Sequence, residues 1–63
     1  MNTIMKMKIN NLATMFYIMQ GYVCPDEYDF QQATHPDEKR CWNQAVVAWA
    51  HLSNDPKFIE YQN

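Results

Sequence analysis

Two cysteines and two histidines are the residues of this chain whose types most readily suggest chemistry. They are Cys24, His35, Cys41 and His51, which together give the ligand count of a structural zinc site. Such sites draw on close pairs of ligands, whereas ten, five and nine residues separate the successive members here. Cys41 and His51 also fall on one predicted helix, where their backbones lie roughly 15 Å apart. We therefore predict no metal and no cofactor, and we interpret the thiols as buried side chains and the histidines as cap or surface residues.

The tripeptide Pro-Asp-Glu occurs twice, at 25–27 and 36–38, and Lys39 follows the second copy. This pattern resembles the signature of a metal-dependent nuclease. The sequence, however, contains no two strands of alternating apolar and polar residues that would bring the acids together. Proline followed by acids is also typical of the first turn of a helix. A nucleophilic Cys24 is the other catalytic alternative, although no pattern places a histidine beside it. We predict two helix starts and no enzymatic activity.

The first helix is predicted at about 11–20, between a cap at Asn11 and a terminating Gly21. Residues 1–8 show no clear period and are predicted to be loosely ordered. Apolar residues recur along the helix at three- and four-residue spacing, namely Leu12, Met15, Phe16 and Met19. Three others widen the apolar face, namely Ala13, Tyr17 and Ile18, so we expect more than one neighbour to pack against this helix.

Two further helices are predicted, a short one over 25–33 and a long one over 36–52, with Thr34 or His35 as the cap of the latter. The long helix carries a stripe of helical period, formed by Cys41, Trp42, Ala45, Val46, Trp49 and Leu52. A last turn is predicted after Pro56, folding back onto the core. The chain is thus expected to form one small all-α domain over 1–63, a helical hairpin or three-helix arrangement in which helix one packs along the Trp42–Leu52 helix.

Charge and hydropathy narrow the classes of function. The net charge is -2 with five scattered basic residues, a weak footprint for binding duplex DNA. A small regulator that touches DNA remains the alternative, with contacts from Lys6, Lys8, Lys39 and Arg40. The apolar run near the start is interrupted by polar residues and falls short of the about 20 residues that span a bilayer. We expect a cytoplasmic protein with reduced thiols and no membrane association.

Large apolar side chains are in surplus for a chain of this size. Hydrophobic residues make up 48% of its 63 residues, whereas such a domain buries only about 60% of the surface that its unfolded form exposes. A tryptophan alone buries on the order of 200 Å². We therefore predict that part of this surface stays outside and contacts a partner protein or a second copy of the chain. The candidate residues are Met15, Tyr17, Met19, Trp42 and Trp49.

The whole chain, and above all the stretch "ATHPDEKRCWNQAVVAWAHLSNDPKF", resembles the small early proteins encoded in the exo-xis region of lambdoid bacteriophages. The resemblance implies expression early in infection, in the cytoplasm of the bacterial host, among accessory factors that influence lysis versus lysogeny. It implies no catalytic residues. With the apolar surplus, it favours a regulatory protein that binds a host or phage protein, and the alternative is a DNA-associated regulator of transcription or replication.

Overall fold

The chain folds as two antiparallel α-helices in a computed structural model that describes residues 2–53. Helix α1 is Thr3–Met19, a 3-10 turn follows at Phe30–Gln32, and helix α2 is Pro36–Ser53. The prediction of an all-α hairpin is confirmed, and the part of the chain described contains no strand. The turn predicted after Pro56 lies outside the described residues.

Helix α1 begins eight residues earlier than predicted. The side chain of Asn2 accepts a hydrogen bond of 2.7 Å from the backbone N–H of Met5, which makes Asn2 the cap. Ile9 is fully buried, so the first half of the helix is held against the core. The prediction that the helix starts at Asn11 was therefore wrong, and residues 3–8, within the segment predicted to be loosely ordered, are helical.

Helix α1 ends just before Gly21, the glycine that was predicted to terminate it. Gly21 has φ 95, a left-handed conformation that glycine adopts without steric cost. Its N–H donates to the carbonyl of Ile18 at 2.9 Å, and the N–H of Tyr22 donates to the carbonyl of Tyr17 at 3.3 Å. These two bonds form a Schellman motif, and the stacked rings of Tyr17 and Tyr22, 4.6 Å apart, supply its apolar contact.

The helix predicted over 25–33 was wrong, because only the 3-10 turn forms there. Glu27 has φ 58, which breaks any helix that starts at Pro25. The side chain of Asp29 accepts from the N–H of Gln31 at 3.1 Å and so caps the short turn. Phe30, the first residue of the turn, is 1% exposed and inserts between the two helices.

Helix α2 is uninterrupted from Pro36 to Ser53 and confirms the predicted long helix. His35 is the cap: its carbonyl accepts from the N–H of Lys39 at 3.0 Å, and its ring Nδ1 accepts from the N–H of Asp37 at 3.2 Å. Proline at the first helical position needs no hydrogen-bond partner for its nitrogen. Helix α2 therefore starts where the sequence predicted.

Small residues line the contact between the helices. Ala13, Cys41 and Ala45 are fully inaccessible to solvent, so the two backbones approach closely there. Larger side chains pack around this contact and are half-buried, namely Leu12, Phe16, Tyr17, Trp42, Val46 and Trp49. The apolar stripe of α2 thus packs toward α1 as predicted, except for Leu52, which is exposed.

Candidate interaction surface

The five residues predicted to form an interface lie on different sides of the molecule. Met15 and Met19 project from α1 into solvent, with 57% and 77% of their surface exposed. The remaining three, Tyr17, Trp42 and Trp49, are half-buried and pack against the core. Of the five, the structure therefore exposes only the two methionines.

A continuous apolar face runs along the side of α1 that points away from α2. Its apolar members are Ile4, Met7, Met15 and Ile18, whose exposed fractions are 68%, 60%, 57% and 54%. At about 100° per residue, these four project within about 40° on either side of Asn11. We call the five residues Ile4, Met7, Asn11, Met15 and Ile18 the α1 outer face.

The α1 outer face was missed in part because Ile4 and Met7 fall within the segment predicted to be loosely ordered. Their spacing to Asn11 and Ile18 is helical, and that signal was present in the sequence. The opposite side of α1, which includes Ile9 and Ala13, forms the core. Helix α1 is thus apolar on two faces, and α2 together with the 3-10 turn covers only one.

Polar groups beside the α1 outer face are already satisfied within the chain. Thr14 donates from Oγ1 to the carbonyl of Asn10 at 2.9 Å, one turn earlier. The ammonium of Lys8 lies over the ring of Trp49, 5.3 Å from its centroid, and therefore points toward α2. No charged side chain therefore lies among the apolar members of the α1 outer face.

A groove flanks the C-terminal half of this face. One wall is formed by Asn11, Thr14 and Ile18 of α1, and the other by the connecting segment from Cys24 to Tyr28. Asn10 fixes that segment, since its Nδ2 donates to the carbonyl of Tyr28 at 2.7 Å and its Oδ1 accepts from the N–H of Phe30 at 2.8 Å. Sequence reasoning missed Asn10, which looks only like a polar break in an apolar run.

The two acidic residues of the second Pro-Asp-Glu tripeptide, Asp37 and Glu38, accept hydrogen bonds from tyrosine hydroxyls. Glu38 accepts from the hydroxyls of Tyr28 and, at 3.5 Å, Tyr17, and Asp37 accepts from Tyr22 at 3.0 Å. The hydrogen bond to Glu38 raises the pKa of Tyr28 to about 12. The bond to Asp37 raises the pKa of Tyr22, and burial followed by the charge of Glu38 raises that of Tyr17. These acids tie the start of α2 to the connection and to α1.

The residues considered as metal ligands or nucleophiles are placed apart. Cys41 is fully buried and accepts from Nε2 of Gln20 at 3.6 Å, and burial raises the pKa of its thiol. Cys24 is half-buried and donates to the carbonyl of Pro25 at 3.4 Å. His51 is exposed near the far end of α2. Within residues 2–53, no group of three or more histidine, cysteine or acidic side chains is arranged to hold a metal ion.

The four basic residues of the DNA-binding alternative lie at two ends of the hairpin. Lys8 is level with Trp49, which lies nine residues beyond Arg40 on α2, or about 14 Å along the helix. Lys6 pairs with Asp29 at 3.1 Å, and Arg40 pairs with Asp37 at 3.2 Å. Lys39 is exposed at the start of α2. The structure does not gather these four side chains into one patch.

Comparison of the chain with protein-family models, with curated proteins and with solved structures found no match. Among the described residues, neither helix combines the length and the apolar character needed to cross a bilayer.

Proposed function

We propose that this chain is a non-enzymatic interaction module that binds a protein through the α1 outer face. The observation that carries the proposal is the continuous exposure of Ile4, Met7, Met15 and Ile18 along one side of a capped helix. Contiguous exposed apolar surface on a small folded domain typically marks a site of protein contact. Ridges of isoleucine and methionine at helical spacing suit contact with another helix or with an apolar groove.

The setting that we propose for this module follows the resemblance to early proteins of lambdoid bacteriophages. There the protein acts in the cytoplasm of the infected bacterium as an accessory factor that influences lysis versus lysogeny, and its partner is a phage or host protein. The half-buried tryptophans stabilise the hairpin in this proposal, and the α1 outer face makes the contact. Three of the four basic side chains of the DNA-binding alternative already have partners within the chain, so protein contact is the function that the geometry supports better.

The test is capture of proteins from infected and uninfected cells by the purified chain, with Ile18→Lys as the disrupting variant. A lysine near the C-terminal end of α1 is compatible with the helix dipole, so the variant keeps its helix. A charge placed against apolar surface should weaken binding at least tenfold, which corresponds to about 1.4 kcal/mol. Val47→Lys is the matched control, because Val47 is equally apolar and 69% exposed but lies on α2.

The expected result is a protein, identified by mass spectrometry, that is retained by the wild-type chain and by Val47→Lys and is lost with Ile18→Lys. Binding of the purified pair, measured by calorimetry, should show the same order. Equal retention by all three forms would mean that the α1 outer face is not the contact. Circular dichroism of each form checks that the helices remain folded.

A further inference from the structure

The α1 outer face is symmetric in residue type about its centre. Ile4 and Ile18 each lie seven residues from Asn11, and Met7 and Met15 each lie four residues from it. Because residues at equal distances before and after Asn11 are rotated by equal and opposite angles around the helix, the pattern is also symmetric in space. The order of residue types along the α1 outer face is therefore the same in both chain directions.

Such a face is complementary to itself in an antiparallel arrangement. A two-fold axis requires that the same patch serve both subunits, with each residue meeting its counterpart across the axis. With the axis at Asn11, Ile4 of one copy comes level with Ile18 of the other, and Met7 comes level with Met15. We propose that the occupant of the α1 outer face is a second copy of this chain, paired antiparallel about Asn11. This inference rests on the proposed function, in which that face is the contact, and it identifies the protein bound there as another copy of the chain.

Asn11 supplies the one polar group on the axis. Its side chain is exposed and makes no hydrogen bond to the described residues 2–53. A carboxamide carries both a donor and an acceptor, so two copies of Asn11 related by the axis satisfy each other. A slip of one turn would set each amide against Met15 or Thr14 in one direction and against Met7 or Lys8 in the other, and a single buried asparagine is known to fix the register of paired helices in this way.

Charges and shape agree with the pairing. The only charged residues of α1 are Lys6 and Lys8, and both are engaged elsewhere, with Asp29 and with the ring of Trp49. No charged side chain therefore lies among the apolar members of the two facing helices, and the nearest acids, Asp26 and Glu27, belong to the connecting segment beside the groove. Met7 of one copy comes level with the groove beside Thr14 and Ile18 of the other, which the connecting segment closes on its far side. The groove of each copy thus lies where its mate presents Met7.

The contact along the α1 outer face is short. Ile4 to Ile18 spans about 21 Å along the helix. One helix against another over this length buries less than the about 1,600 Å² of a standard stable interface. We therefore expect a reversible dimer whose population rises with concentration, with a dissociation constant in the micromolar range.

Sedimentation equilibrium over a wide range of concentration tests the pairing, using Ile4→Glu and Ile18→Lys. Each charge suits the helix end at which it lies, so both variants keep α1. Each alone places a charge against isoleucine of the mate, and its dissociation constant should rise at least tenfold. An equimolar mixture should recover dimer, because the antiparallel pair sets the new carboxylate against the new ammonium at one end and two isoleucines at the other. Val47→Lys should dimerise like the wild type.

Three results would overturn the inference: a wild-type chain that stays monomeric throughout, single variants that dimerise normally, or a mixture that fails to recover. The last would indicate a parallel pair or another register. A monomeric wild type that still loses its captured protein in Ile18→Lys would refute the dimer and leave the proposed function standing. A monomer whose captured proteins are unaffected by that change would refute both.

Discussion

Two adjacent asparagines in α1 have unrelated roles that their sequence positions do not reveal. Asn10 binds the backbone of Tyr28 and Phe30 through both ends of its amide, whereas Asn11 is exposed at the centre of the outer face. The difference arises from a connection about twenty residues further along the chain. Local periodicity carries no information about where such a segment crosses the helix, so the sequence predicted neither role.

The Asn10 contact predicts a large effect of Asn10→Ala on stability. The change leaves the N–H of Phe30 and the carbonyl of Tyr28 without their partner in a partly buried site, which should lower the free energy of unfolding by about 2 kcal/mol. Asn43→Ala is the control, because Asn43 is exposed on α2 and should change stability by less than about 0.5 kcal/mol. Urea denaturation followed by circular dichroism measures both, and equal effects would mean that the Asn10 bonds do not hold the connection.

At the scale of elements, the same helix-start residues gave two outcomes. Pro36 opens an 18-residue helix, whereas Pro25 opens none. A helix of a few residues does not recover the cost of forming its first turn unless packing supports it. After Pro36 a long apolar stripe provides that packing, but after Pro25 the backbone groups of Tyr28 and Phe30 bind Asn10 instead. Helix ends with strong local signals, such as Gly21, were therefore predictable, and elements decided by distant contacts were not.

The left-handed conformation of Gly21 at the end of α1 predicts that Gly21→Ala lowers the stability of the fold. A Cβ added at this position meets nothing within 4 Å, so the cost comes from the left-handed backbone alone. It should lower the free energy of unfolding by about 1 kcal/mol. Gly21→Asn should cost less, since asparagine tolerates this conformation better than alanine. Thermal denaturation of the three forms checks the order, and an alanine variant as stable as the wild type would show that the Schellman turn contributes little.

At the scale of the whole molecule, the sequence predicted a surplus of apolar surface, and of its five candidate residues Met15 and Met19 are exposed whereas Tyr17, Trp42 and Trp49 are half-buried. Limited interior space predicted that Trp42 and Trp49 contribute to that exposed surface. Small residues at the helix contact, such as Ala13 and Ala45, let the helices approach closely, and the indole rings then pack beside that contact. The surplus appears on the far side of α1 instead. Which face of a doubly apolar helix becomes the core depends on the partner helix, and periodicity within α1 does not decide it.

The tyrosines that bind Asp37 and Glu38 predict how the stability of the whole hairpin depends on alkaline pH. An unfolded tyrosine loses its proton near its ordinary value of 10.0, whereas Tyr28 in the folded chain does so at about 12. Between these values the unfolded state binds fewer protons than the folded state, so the free energy of unfolding falls as pH rises through this window. The stabilisation is fully present below pH 10, and the raised pKa values of Tyr17 and Tyr22 act in the same direction.

Urea denaturation at a series of pH values should show a decline in the free energy of unfolding that is shallower in Tyr28→Phe, because that variant lacks the tyrosine whose pKa is shifted most. Equal slopes in the two forms would mean that the bond from Tyr28 to Glu38 does not stabilise the fold.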